Sequence, residues 1–286
     1  MMRQADSSAG RGIDRRLAAG IFFLALAVYA LTYAGGFKSN DERALFSGTD
    51  SFWKRGEFTT NQIYWDYTNV GMENPAGDMV PNYEPAQMVL ALPFYAWGRL
   101  LGAAAQGVMF FNVVVAAGAA ALLYLCLLEL GYRRRVGLFG ALVFAFATLM
   151  WPYSRTFFRE PLTVTMYLLA LYGALRFRSA GVLGWPALAG LALGIALTTK
   201  QVSVALIPTL ALLLAGYEWR RQRAGGRLVP RRWIAVALAA LAPLGVVLLL
   251  GQLYEATTLA GVQAFARDIT DYTTNPQLSS SAPLRM

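Results

Sequence analysis

Long uncharged or nearly uncharged runs recur along the chain, at about 17–36, 86–98, 103–128, 136–154, 161–175, 182–199, 201–217 and 233–253. A membrane-crossing helix needs roughly 20 mostly apolar residues, fewer when its ends can be anchored by snorkelling side chains. Seven of these runs suit that role. The short run 161–175 does so with the help of Arg176 and Arg178 at its end. The exception is 86–98, bounded by Pro85 and Arg99 and interrupted by Pro93. Apolar segments of about 10–14 residues are more often re-entrant or interfacial. The pattern therefore predicts an all-α integral membrane protein of about seven transmembrane helices, with a large outer loop and a short re-entrant or interfacial helix after the first span.

Polar stretches divide the chain accordingly. A tail of residues 1–16 precedes a transmembrane domain of 17–253, and a polar tail of 254–286 follows it. Within the domain, residues 37–85 form the outer loop and 86–98 the re-entrant segment. A connection that long is functional or disordered as a rule. Phe52, Trp53, Phe58, Tyr64, Trp65, Tyr67 and Tyr83 argue against disorder. The pair 182–199 and 201–217 reads as a tight helical hairpin. Its small residues Ala189, Gly190, Ala192, Gly194 and Ala196 permit close helix approach. Arg11, Arg15 and Arg16 before the first apolar run resemble the start of a signal peptide. The run is too long, however, and lacks a small-residue cleavage site, so it reads as an uncleaved anchor.

Composition supports the membrane class. The chain is 57% hydrophobic with 14% charged residues, more apolar than soluble domains of this length. Its formal net charge of +9 would suit a nucleic-acid partner, but the bases are placed by another rule. Seven spans with a cytoplasmic N-terminus put the tail arginines, Arg133-Arg134-Arg135, Arg176 with Arg178, and the loop Arg220 to Arg232 all inside. Counting 86–98 as a span would reverse this, so nucleic acid is excluded as the reason for the charge. The arginine loop 220–232 reads as a topology signal with contacts to anionic membrane lipid. The expected location is a cell membrane, multi-pass, of the bacterial plasma-membrane kind. The single cysteine, Cys126, excludes a disulfide framework. The absence of histidine removes His-based metal sites, bases and triads together.

Candidate chemistry lies on the outer side. Asp41-Glu42 opens the aromatic loop just beyond the first span. Two charges past a helix end also serve simply to mark the membrane interface. Arg155, Arg159-Glu160 and Lys200 lie in turns expected to face the same side. Arg159-Glu160 reads equally as a cap for the following span. Lys200 is more telling, because it is one ionisable residue between two apolar helices. Pro85 holds Glu84 out of helical geometry, so its carboxylate can project into an outer cavity. A carboxylate facing cations suits group transfer from an anionic lipid donor. The acid accepts or orients the acceptor's proton, and the cations neutralise charge on the departing phosphate. A divalent metal ion bridging Asp41, Glu42 or Glu84 would use hard oxygen ligands, although no spacing demands one.

The order of these features resembles the GT-C glycosyltransferases, in particular the branch of protein O-mannosyltransferases and aminoarabinose transferases. The residues that carry the resemblance are Asp41-Glu42, Tyr83-Glu84-Pro85 before the apolar Met88–Phe94 stretch, Arg155 to Leu162, and Leu197-Thr198-Thr199-Lys200 with Pro208 beyond. They span about 15–255. The resemblance implies a polyprenyl-phosphate sugar donor, a lipid, glycan or protein acceptor, and inverting transfer on the outer face. Asp41 and Glu42 would be the catalytic acids, and Glu84, Arg155, Arg159, Glu160 and Lys200 would contact substrate. Where the aminoarabinose branch carries a lysine after its Glu-Pro step, this chain has Pro85-Ala86. Such enzymes continue with further spans, so the chain is expected to be an N-terminal portion with little or no transferase activity alone and a loosely structured tail. Competing classes are a transporter or lipid flippase, and a catalytically silent scaffold or truncated product. A transporter would show polar residues in broken helices and repeat symmetry, and no repeat is visible.

Overall fold

The computed structural model describes residues 8–60, 71–73, 79–180, 182, 184–223 and isolated positions between 230 and 245. The expected spans at 17–36, 103–128, 161–175, 182–199 and 201–217 correspond to α1 (Ser8–Leu31), α5 (Ala104–Glu129), α8 (Glu160–Ala180), α9 (Gly184–Thr199) and α10 (Leu206–Arg223). The run 233–253 as a span, the tail 254–286, Arg227, Arg231 and Arg232 of the arginine loop, and Tyr64, Trp65 and Tyr67 lie outside the described residues.

Helix boundaries follow capping and hydrogen bonding rather than hydropathy alone. α1 begins within the segment read as a tail, carrying Arg11, Arg15 and Arg16 on its first turns, and ends at Leu31 before Gly35, whose φ is 65°. α5 is by itself both long and apolar enough to cross a membrane, and no other helix among the described residues is. α8 runs on past Leu175, so Arg176 lies within the helix, paired with Glu129 at 2.9 Å and stacked over Trp185.

Two expectations need correction. The run 136–154 is not one helix. It divides into α6 (Arg134–Phe146) and α7 (Met150–Ser154). Pro152 has no N–H for a continuous helix and its ring would meet the carbonyl of Thr148. It sits instead within the first turn of a new helix, and the Thr148 hydroxyl accepts from the Met150 N–H at the break. Nor is 37–85 only a loop. It opens with α2 (Asn40–Arg55), and further on β1 (Gly71–Glu73) pairs antiparallel with β2 (Met79–Pro81). α2 begins with a capping box, in which the Ser39 side chain and backbone exchange hydrogen bonds with Glu42, and stops at Gly56 with φ 74°. Phe52 stacks on Phe58 at 4.6 Å, so the aromatic residues of this region do pack.

The segment 86–98, expected to be re-entrant or interfacial, is divided. It forms α3 (Ala86–Leu90) and α4 (Leu92–Leu100), of 5 and 9 residues. α4 lies against α5 at a backbone contact. A Cβ on Gly98 would sit 2.6 Å from the Ala103 carbonyl oxygen and 2.8 Å from the Gly107 Cα, so only glycine fits that crossing.

Three apolar clusters hold the helices together. Ile21, Ala25 and Tyr29 of α1 meet Val113, Ala116, Ala120 and Tyr124 of α5 and Ala141 and Ala145 of α6. Leu45 of α2, Met88 of α3 and Tyr95 of α4 close over Val108 and Phe111 of α5. Ala170, Ala174 and Phe177 of α8 pack with Ala192 and Leu193 of α9 and Leu210 and Leu214 of α10. The small residues of α9 are buried, and Gly173 of α8 comes so near that a Cβ there would lie 3.1 Å from the Ala189 Cβ. These contacts bring the end of α1, α2, the start of α8 and the end of α9 to one end of the bundle. At the other end Arg134 joins Asp14 and the Gly10 carbonyl.

Candidate active site

The capping box separates the two adjacent acids. Glu42 turns inward and is 0% exposed. One oxygen accepts from the Lys38 and Ser39 amides at 2.6 and 3.0 Å, and the other accepts from the Phe157 amide at 2.9 Å. Asp41, one residue earlier and half-buried, faces Tyr83. Burial, together with the hydrogen bond to Asp41, pushes the Tyr83 phenol above its ordinary pKa. Tyr83 therefore stays a protonated donor to a carboxylate throughout the neutral range.

A network of charges continues from Tyr83. The Arg159 guanidinium lies 4.7 Å above its ring, a favourable cation–π placement. The same guanidinium pairs with Glu84 and donates to the Thr199 carbonyl at 3.1 Å. The second Glu84 oxygen accepts from the Gln201 amide at 2.7 Å, capping the 3₁₀ turn Gln201–Ala205. Lys200 reaches Glu160 at 2.7 Å, and each is 34% exposed. Asp41, Glu84, Arg159, Glu160 and Lys200 are thus brought into one region, as the sequence predicted. Arg155 lies on the same turn but meets none of them. Its Nε is buried without a hydrogen-bond partner among the described residues, as is the second oxygen of Glu160.

The turn between α7 and α8 carries Arg155 and Arg159, and it is held by two buried amides. Gln87 of α3 donates to the Phe157 and Phe158 carbonyls at 2.6 and 3.3 Å. Asn112 of α5 donates to the Thr156 and Phe158 carbonyls at 2.8 and 2.7 Å. Both amides are 0% exposed. A signal for Asn112 was present: it is a buried amide within a long apolar span, and polar residues in such spans are rarely incidental. Tyr83 had figured among the loop aromatics and in the Tyr83-Glu84-Pro85 step, but not as a site residue.

The donor set does not fit a bridging divalent ion. Both Glu42 oxygens are committed to backbone amides, and both Glu84 oxygens to Arg159 and Gln201. Among the described residues no group of three or more acidic, cysteine or histidine side chains is placed to hold a metal. What the arrangement can do unaided is hold the half-buried Asp41 carboxylate on Tyr83, beside Arg159.

A helical membrane fold with such a cluster at one end of its bundle defines the class. The family model described as dolichyl-phosphate-mannose-protein mannosyltransferase matches residues 100–257, more than half of the chain, and the chain belongs to that family. The fold is similar to a chain of the S. cerevisiae protein O-mannosyltransferase Pmt1-Pmt2 complex bound to the sugar donor, with a TM-score of 0.59 and 18% identity. That match covers 85% of this chain and 34% of the other, so this chain spans about a third of its solved relative. A search of curated protein sequences gave no match.

Proposed function

We propose that this chain forms the donor-binding part of a membrane glycosyltransferase that moves a sugar from a polyprenyl-phosphate carrier to a lipid, glycan or protein acceptor. The observation that carries this reading is the continuous line Asp41–Tyr83–Arg159–Glu84, with Arg155 four residues before Arg159 and its Nε without a hydrogen-bond partner among the described residues. Asp41 takes or orients the acceptor proton as the glycosidic bond to phosphate breaks. The cations offset charge on the departing lipid phosphate, so side chains rather than a bound divalent ion supply that stabilisation. Attack opposite the phosphate inverts the anomeric centre. The family model's description, which names a dolichyl-phosphate-mannose donor and a protein acceptor, makes mannose the first sugar to test.

The purified chain should bind a polyprenyl-phosphate mannose saturably. Polyprenyl phosphate should compete, and the uncharged polyprenol of the same length should not. Equal competition by the alcohol would mean that the cations do not read phosphate, and would overturn the proposal.

The orientation belongs to the same reading. Seven spans with the N-terminus in the cytoplasm, in a bacterial plasma membrane, place the cluster on the outer face and Arg134, Arg135 and Arg176 inside, as the positive-inside rule requires. Lys54→Cys and Arg135→Cys, each in a Cys126→Ala background, should react with an impermeant maleimide from opposite sides of sealed vesicles. Labelling of both from one side would remove Asp41 from the outer face.

A further inference from the structure

Residues 156–158 run outside any helix between α7 and α8, yet Phe157 is 0% exposed. The Thr156 amide reaches the Tyr153 carbonyl of α7 and the Phe158 amide the Thr156 hydroxyl, but the Phe157 amide and the Thr156, Phe157 and Phe158 carbonyls need partners from elsewhere in an apolar setting. Three buried side chains from three different elements supply them. Glu42 of α2 accepts from the Phe157 amide, Gln87 of α3 donates to the Phe157 and Phe158 carbonyls, and Asn112 of α5 donates to the Thr156 and Phe158 carbonyls. Arg155 immediately precedes the anchored residues and Arg159 immediately follows them. All three anchors are 0% exposed, so their side chains are not free to contact a bound donor. We propose that Glu42, Gln87 and Asn112 are positioning residues that fix this turn at three points and thereby aim Arg155 and Arg159 at the donor phosphate. This rests on the donor-binding reading of the cluster. It assigns Glu42 a role distinct from that of its neighbour Asp41.

The anchor has a directional chemistry that can be reversed without changing volume. Gln87→Glu and Asn112→Asp set a carboxylate oxygen against the carbonyls that now accept. Burial raises the pKa of such an acid, and once protonated it again offers one donor. Both variants should therefore loosen the turn at about pH 8 and restore it toward about pH 5. Gln87→Leu should loosen it at every pH.

Two readouts separate this proposal from the one it rests on. Hydrogen exchange of the peptide covering 155–160, measured in the ligand-free chain, should rise in Gln87→Glu and Asn112→Asp at the higher pH and recover at the lower. Capture of undecaprenyl phosphate in detergent micelles should weaken roughly tenfold or more over the same range, the scale of a lost hydrogen bond to a charged group, and recover in parallel. Unchanged exchange overturns the anchor, and raised exchange with unchanged capture overturns the positioning role. If the unmodified chain captures no undecaprenyl phosphate, the donor reading fails by itself and the exchange pattern alone decides whether these residues set the turn.

Discussion

Asp41→Asn is expected to remove sugar transfer, by the 10²–10⁴-fold that a general base typically contributes, in a transfer-competent protein containing this chain. Expression and thermal stability should stay close to the parent's. The substitution keeps the side-chain volume and leaves an amide oxygen to accept from the Tyr83 hydroxyl, the hydrogen bond that ties Asp41 to the cluster. Capture of the lipid-phosphate donor should also persist, because no cation is removed. Glu42→Gln should behave differently. An amide N–H₂ there must face a backbone N–H on one side or the other, since both oxygens of Glu42 now accept from amides. It should therefore lower stability as well as activity. The pair of variants is checked by transfer rate together with thermal unfolding in detergent. Near-normal transfer by Asp41→Asn would place the base elsewhere in the cluster, with Glu160 the next candidate because its second oxygen has no hydrogen-bond partner among the described residues.

Arg155→Met should weaken binding of polyprenyl phosphate about ten- to a hundredfold, as expected for losing a hydrogen bond to a charged group worth about 1.5–3 kcal/mol. Its thermal stability should hardly move. The Arg155 guanidinium forms no ion pair with any described residue, so little structure depends on it. Arg159→Met separates the two effects. It too removes a cation, but it strands Glu84 and takes away the partner of the Thr199 carbonyl and the Tyr83 ring. Weaker binding should then come with a stability loss of about 1–3 kcal/mol, the cost of a buried group left unsatisfied. Lys200→Met should lie between them, since its pair with Glu160 is about one-third exposed and solvent screens such pairs. Phosphate titration and thermal melts on the same preparations test all three. Unchanged binding in Arg155→Met and Arg159→Met would reduce these residues to helix caps and favour the scaffold reading.

The sequence by itself determined where most of the helices lie, because a bilayer demands continuous apolar runs with internally satisfied backbone. Hydropathy blocks located α1, α5, α8, α9 and α10, and the short, proline-bounded run 86–98 stood apart from them as the segment that forms two short helices. It also singled out the ionisable residues that stand beside or between those blocks, and Asp41, Glu84, Arg159, Glu160 and Lys200 do converge. The start of α2 was legible too, in Ser39 followed three residues on by Glu42, a capping-box spacing. The division at 147–149 could have been anticipated from Pro152.

Tertiary structure decided the roles. Adjacent acids look equivalent in sequence, but on a helix consecutive side chains point about 100° apart. One of them therefore turns into the core to bind a turn that is far away in the chain, while the other stays half-buried against Tyr83. Which cations pair with which acids depends on distances between α8, α9 and the Tyr83–Glu84 step that no local pattern encodes. The anchoring role of Gln87 was invisible for the same reason, and the apolar span that marks Asn112 does not say what it holds: their partners are backbone carbonyls of a non-helical turn. Those groups become costly to leave unpaired only once packing has removed the water around them.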